Sequence, residues 1–345
     1  LNELTTRSFM GLSEPALDAF KFHLLIFILI ISCNSLSSRD NANHYQLKEI
    51  NMVKQLVSLC AALLISSLTF GQITVNDELG TVELDSVPVR VVALEFSFVD
   101  ALASLGIAPV GVADDGDKTR VIEQIRARIG EDWVSLGSRS QPSLEVIASL
   151  KPDLIIADRE RHEAIYEDLK RIAPTLILKS RGETYQDNLK SVIKVASAFD
   201  REGEMAQKVA EHSQKMDAFA KQIDNDASLL FAVSSARGVY MHAPKAYAGG
   251  VVNRLGLRSP VPDETEAYVQ TTIEGLVKAN PDYFLVGEYG EETVIDTFKE
   301  NSLWTLMSAV KNDHYVETDP RLWSLNRGMI AAEIMAEEII ALLKD

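Results

Sequence analysis

After residue 71 this chain has no cysteine: Cys33 and Cys60, its only two, both lie earlier. The folded part can therefore hold no disulfide and no thiolate metal site. Its four histidines, His162, His212, His242 and His314, are scattered without metal-ligand spacing, so direct binding of a bare transition metal is not expected. The chain also lacks the common catalytic signatures. There is no phosphate loop, no G-x-G-x-x-G turn and no G-x-S-x-G elbow. The run Asp114-Asp115-Gly116-Asp117 lacks the alternating ligands of a calcium loop and reads as a solvated turn. Basic excess is missing as well. The net charge is −16, which argues against a nucleic-acid partner. Past Phe70 no apolar run is long enough to span a bilayer.

The N-terminus carries a different signal. Met52-Val53-Lys54 is a short basic start, followed by the apolar run Leu56 to Phe70 and small residues at Thr69 and Gly71. This pattern predicts a signal peptide over 52–71, too short for a spanning helix. Residues 1–51 are expected to be an upstream extension absent from the mature protein, although Ile30-Ile31-Ser32-Cys33 faintly resembles a lipoprotein attachment site. An exported chain without disulfides suits a bacterial periplasm. The first 71 residues hold five basic and five acidic side chains, so the mature charge stays at −16.

One pattern occurs twice. Residues 142–156 read PSLEVIASLKPDLII, and 271–286 read TTIEGLVKANPDYFLV. Glu145 and Glu274 each stand seven residues before a Pro-Asp pair, Pro152-Asp153 and Pro281-Asp282, and each pair opens an apolar run. The spacing predicts a short helix entering a buried strand, with the proline fixing the turn and excluding the α region from the residue before it. About 130 residues separate the copies, too far for a solenoid repeat. They predict two lobes of similar fold, each presenting one acid at an equivalent place.

Strand and helix alternate from Ile73 to Leu178, starting with a hairpin at Ile73–Val75 and Thr81–Leu84, and again from Leu229. This predicts an α/β protein with mainly parallel sheets and flanking helices. Helices are expected over Asp117–Ile129 and from about Asn326, and a glycine-rich turn at Gly249-Gly250. Between the alternating regions, 184–199 and 202–223 have helical periodicity. The expected organisation is an N-terminal lobe at 72–200, a connecting helix at 201–226 and a C-terminal lobe at 227–345, with little closure because a helix resists bending.

Arginines recur at predicted loops and strand ends: Arg139, Arg159, Arg161, Arg181, Arg237 and Arg327. Ligands of open α/β sheets sit beyond the carboxyl ends of the strands. A guanidinium there pairs bidentately with a carboxylate, so several on one cleft would select a small polyanion despite the overall charge.

Four segments carry a resemblance: VVALEFSFVDALASLGIAPVGVADD (91–115), LGSRSQPSLEVIASLKPDLIIADRERH (136–162), IAPTLILKSRGETYQDNL (172–189) and LWSLNRGMIAAEIMA (322–336). They resemble the substrate-binding proteins of ferric-siderophore ABC importers, and within that group the ferric-citrate carriers. The resemblance covers nearly all of 73–345 and is thinner around 236–270. It implies two α/β lobes joined by a long helix, a ligand cleft between them, and a periplasmic, monomeric carrier that captures ferric citrate and delivers it to a permease dimer in the inner membrane. It implies ligand binding by Arg139, Arg161, Arg181 and Arg327, with Arg237 in a weaker segment and Trp323 in the cleft-forming C-terminal stretch. It implies transporter docking by Glu145 and Glu274. No cofactor and no enzymatic activity are expected, and the iron would stay wrapped in citrate oxygens without direct protein ligands. Glu95, after the first strand, would repel a carboxylate and is left out of the expected site. The alternatives are a carrier of another ferric siderophore, haem or cobalamin, and a periplasmic α/β enzyme acting on an anionic small molecule.

Overall fold

The structure, a computed structural model, describes residues 72–223, 226–262 and 266–344. The expected extension, the signal peptide and both cysteines lie outside the described residues, as do positions 224 and 225 at the end of the expected connector.

A small antiparallel hairpin comes first, β1 (Ile73–Asn76) with β2 (Thr81–Leu84). Five strands then form one sheet: β3 (Val91–Ala93), β4 (Gly111–Val112), β5 (Val134–Ser135), β6 (Leu154–Asp158) and β7 (Thr175–Leu178). Their spatial order is β5-β4-β3-β6-β7, and every pairing is parallel. Burial on both faces explains the continuous apolar runs of β3, β6 and β7. Because the order reverses between β3 and β6, a crevice opens outside the carboxyl ends of those two strands.

The second sheet contains β8 (Leu229–Ser235), β9 (Gly238–His242), β10 (Tyr268–Thr271), β11 (Tyr283–Tyr289) and β12 (Tyr315–Thr318). Its order, β10-β9-β8-β11-β12, places the first strand in the middle just as in the first sheet. The pairing differs. β8, β11 and β12 are parallel, but β8–β9 and β9–β10 are antiparallel. A tight turn through Ala236-Arg237 joins β8 to β9, where a parallel crossover would need a dozen or more residues. The second lobe is therefore mixed.

Between the sheets run the helices Tyr185–Ser197 and Glu202–Ala220. Thr184 and Asp187 form a capping box on the first of these. The second buries Met205, His212 and Met216 on one stripe. The last helix, Met329–Leu342, returns to pack on the connecting helix and on Phe96–Ser104 of the first lobe. One core accordingly runs from Val91 and Phe96 through Met205 and Met216 to Phe231, Trp323 and Ile339.

Several local expectations change. Lys118–Arg120 is a single 3-10 turn, and the regular helix begins only at Glu123, because Val121 is extended. Gly249 and Gly250 lie within the helix Tyr247–Arg254, where a Cβ on Gly249 would come within 2.1 Å of the Ala243 carbonyl oxygen. Glycine here permits a close backbone approach and makes no turn.

The repeated motif takes the same form in both lobes. Ser143 and Thr272 cap the helices Leu144–Ser149 and Ile273–Ala279, each accepting the N–H three residues on. The residues before the prolines, Lys151 and Asn280, have φ of 46° and 43°. They leave the right-handed α region as expected, and do so into positive φ. Each aspartate then holds the chain entering the neighbouring central strand. Asp153 accepts the N–H groups of Val89 and Arg90, both at 2.8 Å, just before β3. Asp282 accepts the N–H and hydroxyl of Ser228, both at 2.8 Å, just before β8.

Candidate functional site

All five strands of the first sheet send polar groups into the loops at their carboxyl ends: Glu95 after β3, Asp115 after β4, Arg139 after β5, Asp158 and Arg161 at β6, and Ser180 and Glu183 after β7. Arg327 joins them from the segment after β12. That segment is tied to the first lobe by Asn326, whose amide donates to the Arg120 carbonyl at 2.7 Å.

Glu95 sits at the centre and is fully buried. It precedes the helix Phe96–Ser104 but does not cap it. Its carboxylate instead meets three guanidiniums. Arg161 Nε is 2.5 Å from Oε1, an ion pair without aligned hydrogen-bond geometry. Arg139 Nη1 and Arg327 Nη2 each lie 3.3 Å from Oε2. Both Arg139 and Arg327 are buried.

Each arginine has its own support. Arg139 donates through its backbone N–H and Nε to Asp115, both at 2.9 Å, and its guanidinium stacks 4.5 Å over the Phe96 ring. Burial raises the Asp115 pKa, but the bonds from Arg139 outweigh this and hold it below the usual carboxylate value. The Asp114-Asp115 run is thus no solvated turn. Asp114 is fully buried and accepts from Trp133 Nε1 at 3.0 Å and from the Ser135 hydroxyl. Arg161 donates Nη1 to Ser140 Oγ at 2.8 Å. Arg327 donates Nε to Glu183 at 3.0 Å and Nη2 to Ser180 Oγ at 2.8 Å. Burial pushes the Glu183 pKa up to about 8 against the pull of Arg327.

Asp158 holds the loops together. It accepts the N–H groups of Ser180, Arg181 and Arg161 at 2.8, 3.0 and 3.0 Å. His162 is locked in one tautomer. Its Nδ1 accepts from the Asp158 N–H, so Nε2 donates to the Arg139 carbonyl at 2.7 Å. Burial lowers its pKa, keeping the ring neutral.

Three of the expected ligand residues, Arg139, Arg161 and Arg327, are brought together. Arg181 is exposed, with its side chain on Glu160 at 2.6 Å. Arg159 is likewise exposed and pairs with Glu163. Arg237 is exposed at the β8–β9 turn. Trp323 is buried, 5.2 Å from the Phe231 ring centroid, and donates Nε1 to Glu338 at 2.7 Å. It is a core side chain in this structure. Glu145 and Glu274 are exposed, each the second residue of its short helix.

Sequence reasoning passed over Glu95 because its sign opposed the expected ligand. It also gave no role to His242 and Tyr268, whose rings pack edge to face 4.9 Å apart on neighbouring strands. His242 is buried with an unpartnered Nδ1, and burial together with the charge of Arg327 pushes its pKa down to about 3. A cavity of about 240 Å³ lies elsewhere, lined by Arg128 of the helix Glu123–Ile129 and by Lys208, Glu211, Lys215 and Glu333 of the connecting and terminal helices. That cavity shares no residue with the arginine cluster. Among the described residues no group of His, Cys, Asp and Glu is arranged to hold a metal ion.

The sequence signature of periplasmic binding proteins matches residues 91–322. The Fe(3+) dicitrate-binding periplasmic protein FecB of Escherichia coli is 37% identical over 278 residues, covering 81% of this chain and 92% of its own. The Fe(3+)-citrate-binding protein YfmC of Bacillus subtilis is 38% identical over 268 residues, covering 77% and 84%. The crystal structure of Staphylococcus aureus SirA complexed with staphyloferrin B superposes with a TM-score of 0.70 at 24% identity, covering 79% of this chain and 98% of that one. With this two-lobed fold and these matches, the chain belongs to the periplasmic binding protein family, whose members are substrate-binding components of transporters and not enzymes.

Proposed function

We propose that this protein captures ferric citrate at the carboxyl edge of its first sheet, facing the second lobe, and delivers it to an ABC importer. The observation that carries this reading is the convergence of Arg139, Arg161 and Arg327 in an otherwise acidic protein. Buried or half-buried guanidiniums already fixed by Asp115, Ser140, Ser180 and Glu183 need little reordering to receive carboxylates. Relatives named for ferric citrate agree with that chemistry. Arg181 and Arg237 are exposed arginines that could reach a ligand wider than one citrate. His242 and Tyr268 supply an aromatic, uncharged wall near Arg327.

Delivery is assigned to Glu145 and Glu274 as docking points for a permease dimer. Export to the periplasm through the 52–71 segment, as a monomer, completes the reading. Titration of the purified protein with ferric citrate, followed by intrinsic fluorescence, tests it. Ferric citrate should bind more tightly than a neutral hydroxamate siderophore, haem or cobalamin at the same ionic strength. Tighter binding of any of these three would overturn the assignment.

A further inference from the structure

We propose that Glu95 is an internal carboxylate that fills the innermost anion position of the arginine cluster, so that the cleft rejects iron-free citrate in favour of the wider ferric complex. The proposal rests on the ferric-citrate reading above.

Both Glu95 oxygens are engaged, Oε1 by Arg161 and Oε2 by Arg139 and Arg327. The place where a small anion would gain most, a desolvated pocket between three guanidiniums, is thus already taken by the protein itself. Displacing Glu95 would strand a carboxylate that the backbone holds at the end of β3. Three guanidiniums face the carboxylates of Glu95 and Asp115, and burial pushes the Glu183 pKa up to about 8, so the cations still outnumber the ionised acids in these contacts. The contacts of Arg139 and Arg161 run through Nε and Nη1, and among the described residues none uses Nη2 of either. These two Nη2 groups are the donors left to an incoming ligand.

Free citrate and ferric citrate carry the same functional groups, and a carrier that cannot tell them apart is blocked by the free acid. A compact anion held only at one outer edge binds weakly. A complex that presents several carboxylates over a wider span engages several edges at once, and its contacts reinforce one another. Filling the deep site selects between the two by weakening the competitor more than the cargo.

The test compares iron-free citrate and ferric citrate by calorimetry at fixed pH and ionic strength, in wild type, Glu95→Gln and Glu95→Asp. Glutamine keeps the size and one acceptor oxygen but removes the charge. It should raise the affinity for iron-free citrate at least about tenfold, raise that for ferric citrate less, and so narrow the preference. Unchanged citrate affinity in a folded Glu95→Gln protein, or equal weakening of both ligands, would overturn the proposal. If that variant does not fold, Glu95→Asp decides. It keeps the counter-charge but withdraws it by one methylene, and should show a partial gain for citrate; none would overturn the proposal. A wild type that ignores ferric citrate would overturn the cargo assignment alone, and the gain of citrate binding in Glu95→Gln would still support the role of Glu95.

Discussion

Arg327 Nη2 lies 3.3 Å from Glu95 Oε2 although 232 positions separate them in the sequence. The contact joins the segment after the last strand of the second sheet to the end of the first strand of the first. Arg327 also holds Glu183, so one guanidinium bridges two fully buried acids. Burial alone would lower the Arg327 pKa, but Glu183 and Glu95 raise it, and the side chain stays charged at every physiological pH.

Replacing Arg327 by alanine should therefore affect both stability and binding. It removes the cation bonded to buried Glu183 and one of the three guanidiniums on buried Glu95, a change that costs up to about 3–5 kcal/mol. Lysine should restore charge without restoring the fork that reaches Glu183, Glu95 and Ser180 together. Thermal melts and ferric-citrate titrations on Arg327→Ala and Arg327→Lys check this. A variant with wild-type melting and affinity would remove Arg327 from the site.

Arg139→Ala and Arg161→Ala should each weaken ferric citrate by about 1.5–3 kcal/mol, the value of a charge-assisted bond. Arg181→Ala and Arg237→Ala should weaken it less, since both side chains are exposed. Arg201, paired with Glu204 on the connecting helix, is the control and should leave affinity unchanged. Calorimetry on the five variants gives the ranking. An affinity loss at Arg201 equal to that at Arg139 would mean that overall charge, and not this site, drives binding.

Much of this was legible in the residues. Strand β7 and the hairpin strand β2 fall where the apolar pattern puts them, because continuous or alternating burial writes itself directly into sequence. Of the arginines that converge, Arg161 follows a strand directly, a position that alternation of elements reveals, whereas Arg327 lies well past β12 and stands out through the family resemblance. What pairs with them was not legible. Glu95 looks repulsive until the chain brings three cations to one carboxylate, and that depends on contacts across up to 232 residues. The same limit applies to Asp115, which reads as a solvated turn until Arg139 is folded onto it. The antiparallel half of the second sheet escaped because a strand's pattern of buried residues does not tell its direction.

Asp153 and Asp282 offer a test of the duplicated motif. Each carboxylate receives two donors from the chain entering a central strand. Asp153→Ala and Asp282→Ala should each cost about 1–3 kcal/mol through donors left without an acceptor. Ferric-citrate affinity should not change, since neither residue contacts the cluster. Denaturant melts and titration separate the two effects, and a binding defect without destabilisation would argue for a different role.

Acid should destabilise the protein through His242. Its pKa falls from 6.5 to about 3 because burial, and then the charge of Arg327, disfavour the protonated ring in the fold. A depressed histidine contributes stability that is present above pH 6.5 and lost as pH falls toward 3. The loss approaches about 1.4 kcal/mol per pH unit within that window. His242→Gln should flatten the stability profile between pH 6 and 4 relative to wild type (roughly the middle of that range). An identical slope in both proteins would mean that other groups carry the acid sensitivity.

Glu145 and Glu274 are predicted to serve the transporter and not the ligand. Both are exposed, and each is the second residue of a helix that precedes an inner strand of its sheet, β6 in one lobe and β11 in the other. Hydrogen bonding at the helix N-terminus, its own backbone N–H first and Thr272 next, holds the Glu274 carboxyl below the ordinary glutamate value, so it stays ionised. On lobes that share one core, two such points would keep a nearly fixed separation and would match two cationic points on a permease dimer, setting register as well as affinity. Reversing both to arginine places cations at two helix N-termini, a cost of about 0.3–1 kcal/mol each. The double variant should therefore fold, bind ferric citrate with unchanged affinity, and abolish iron uptake in cells. A single reversal should give a partial defect, because the other lobe still docks. Uptake that survives the double reversal would make these ordinary solvated acids. Loss of ligand binding or of the fold would also defeat the docking role, leaving the Ser143 and Thr272 caps and the Asp153 and Asp282 clasps as the whole reason for the repeat.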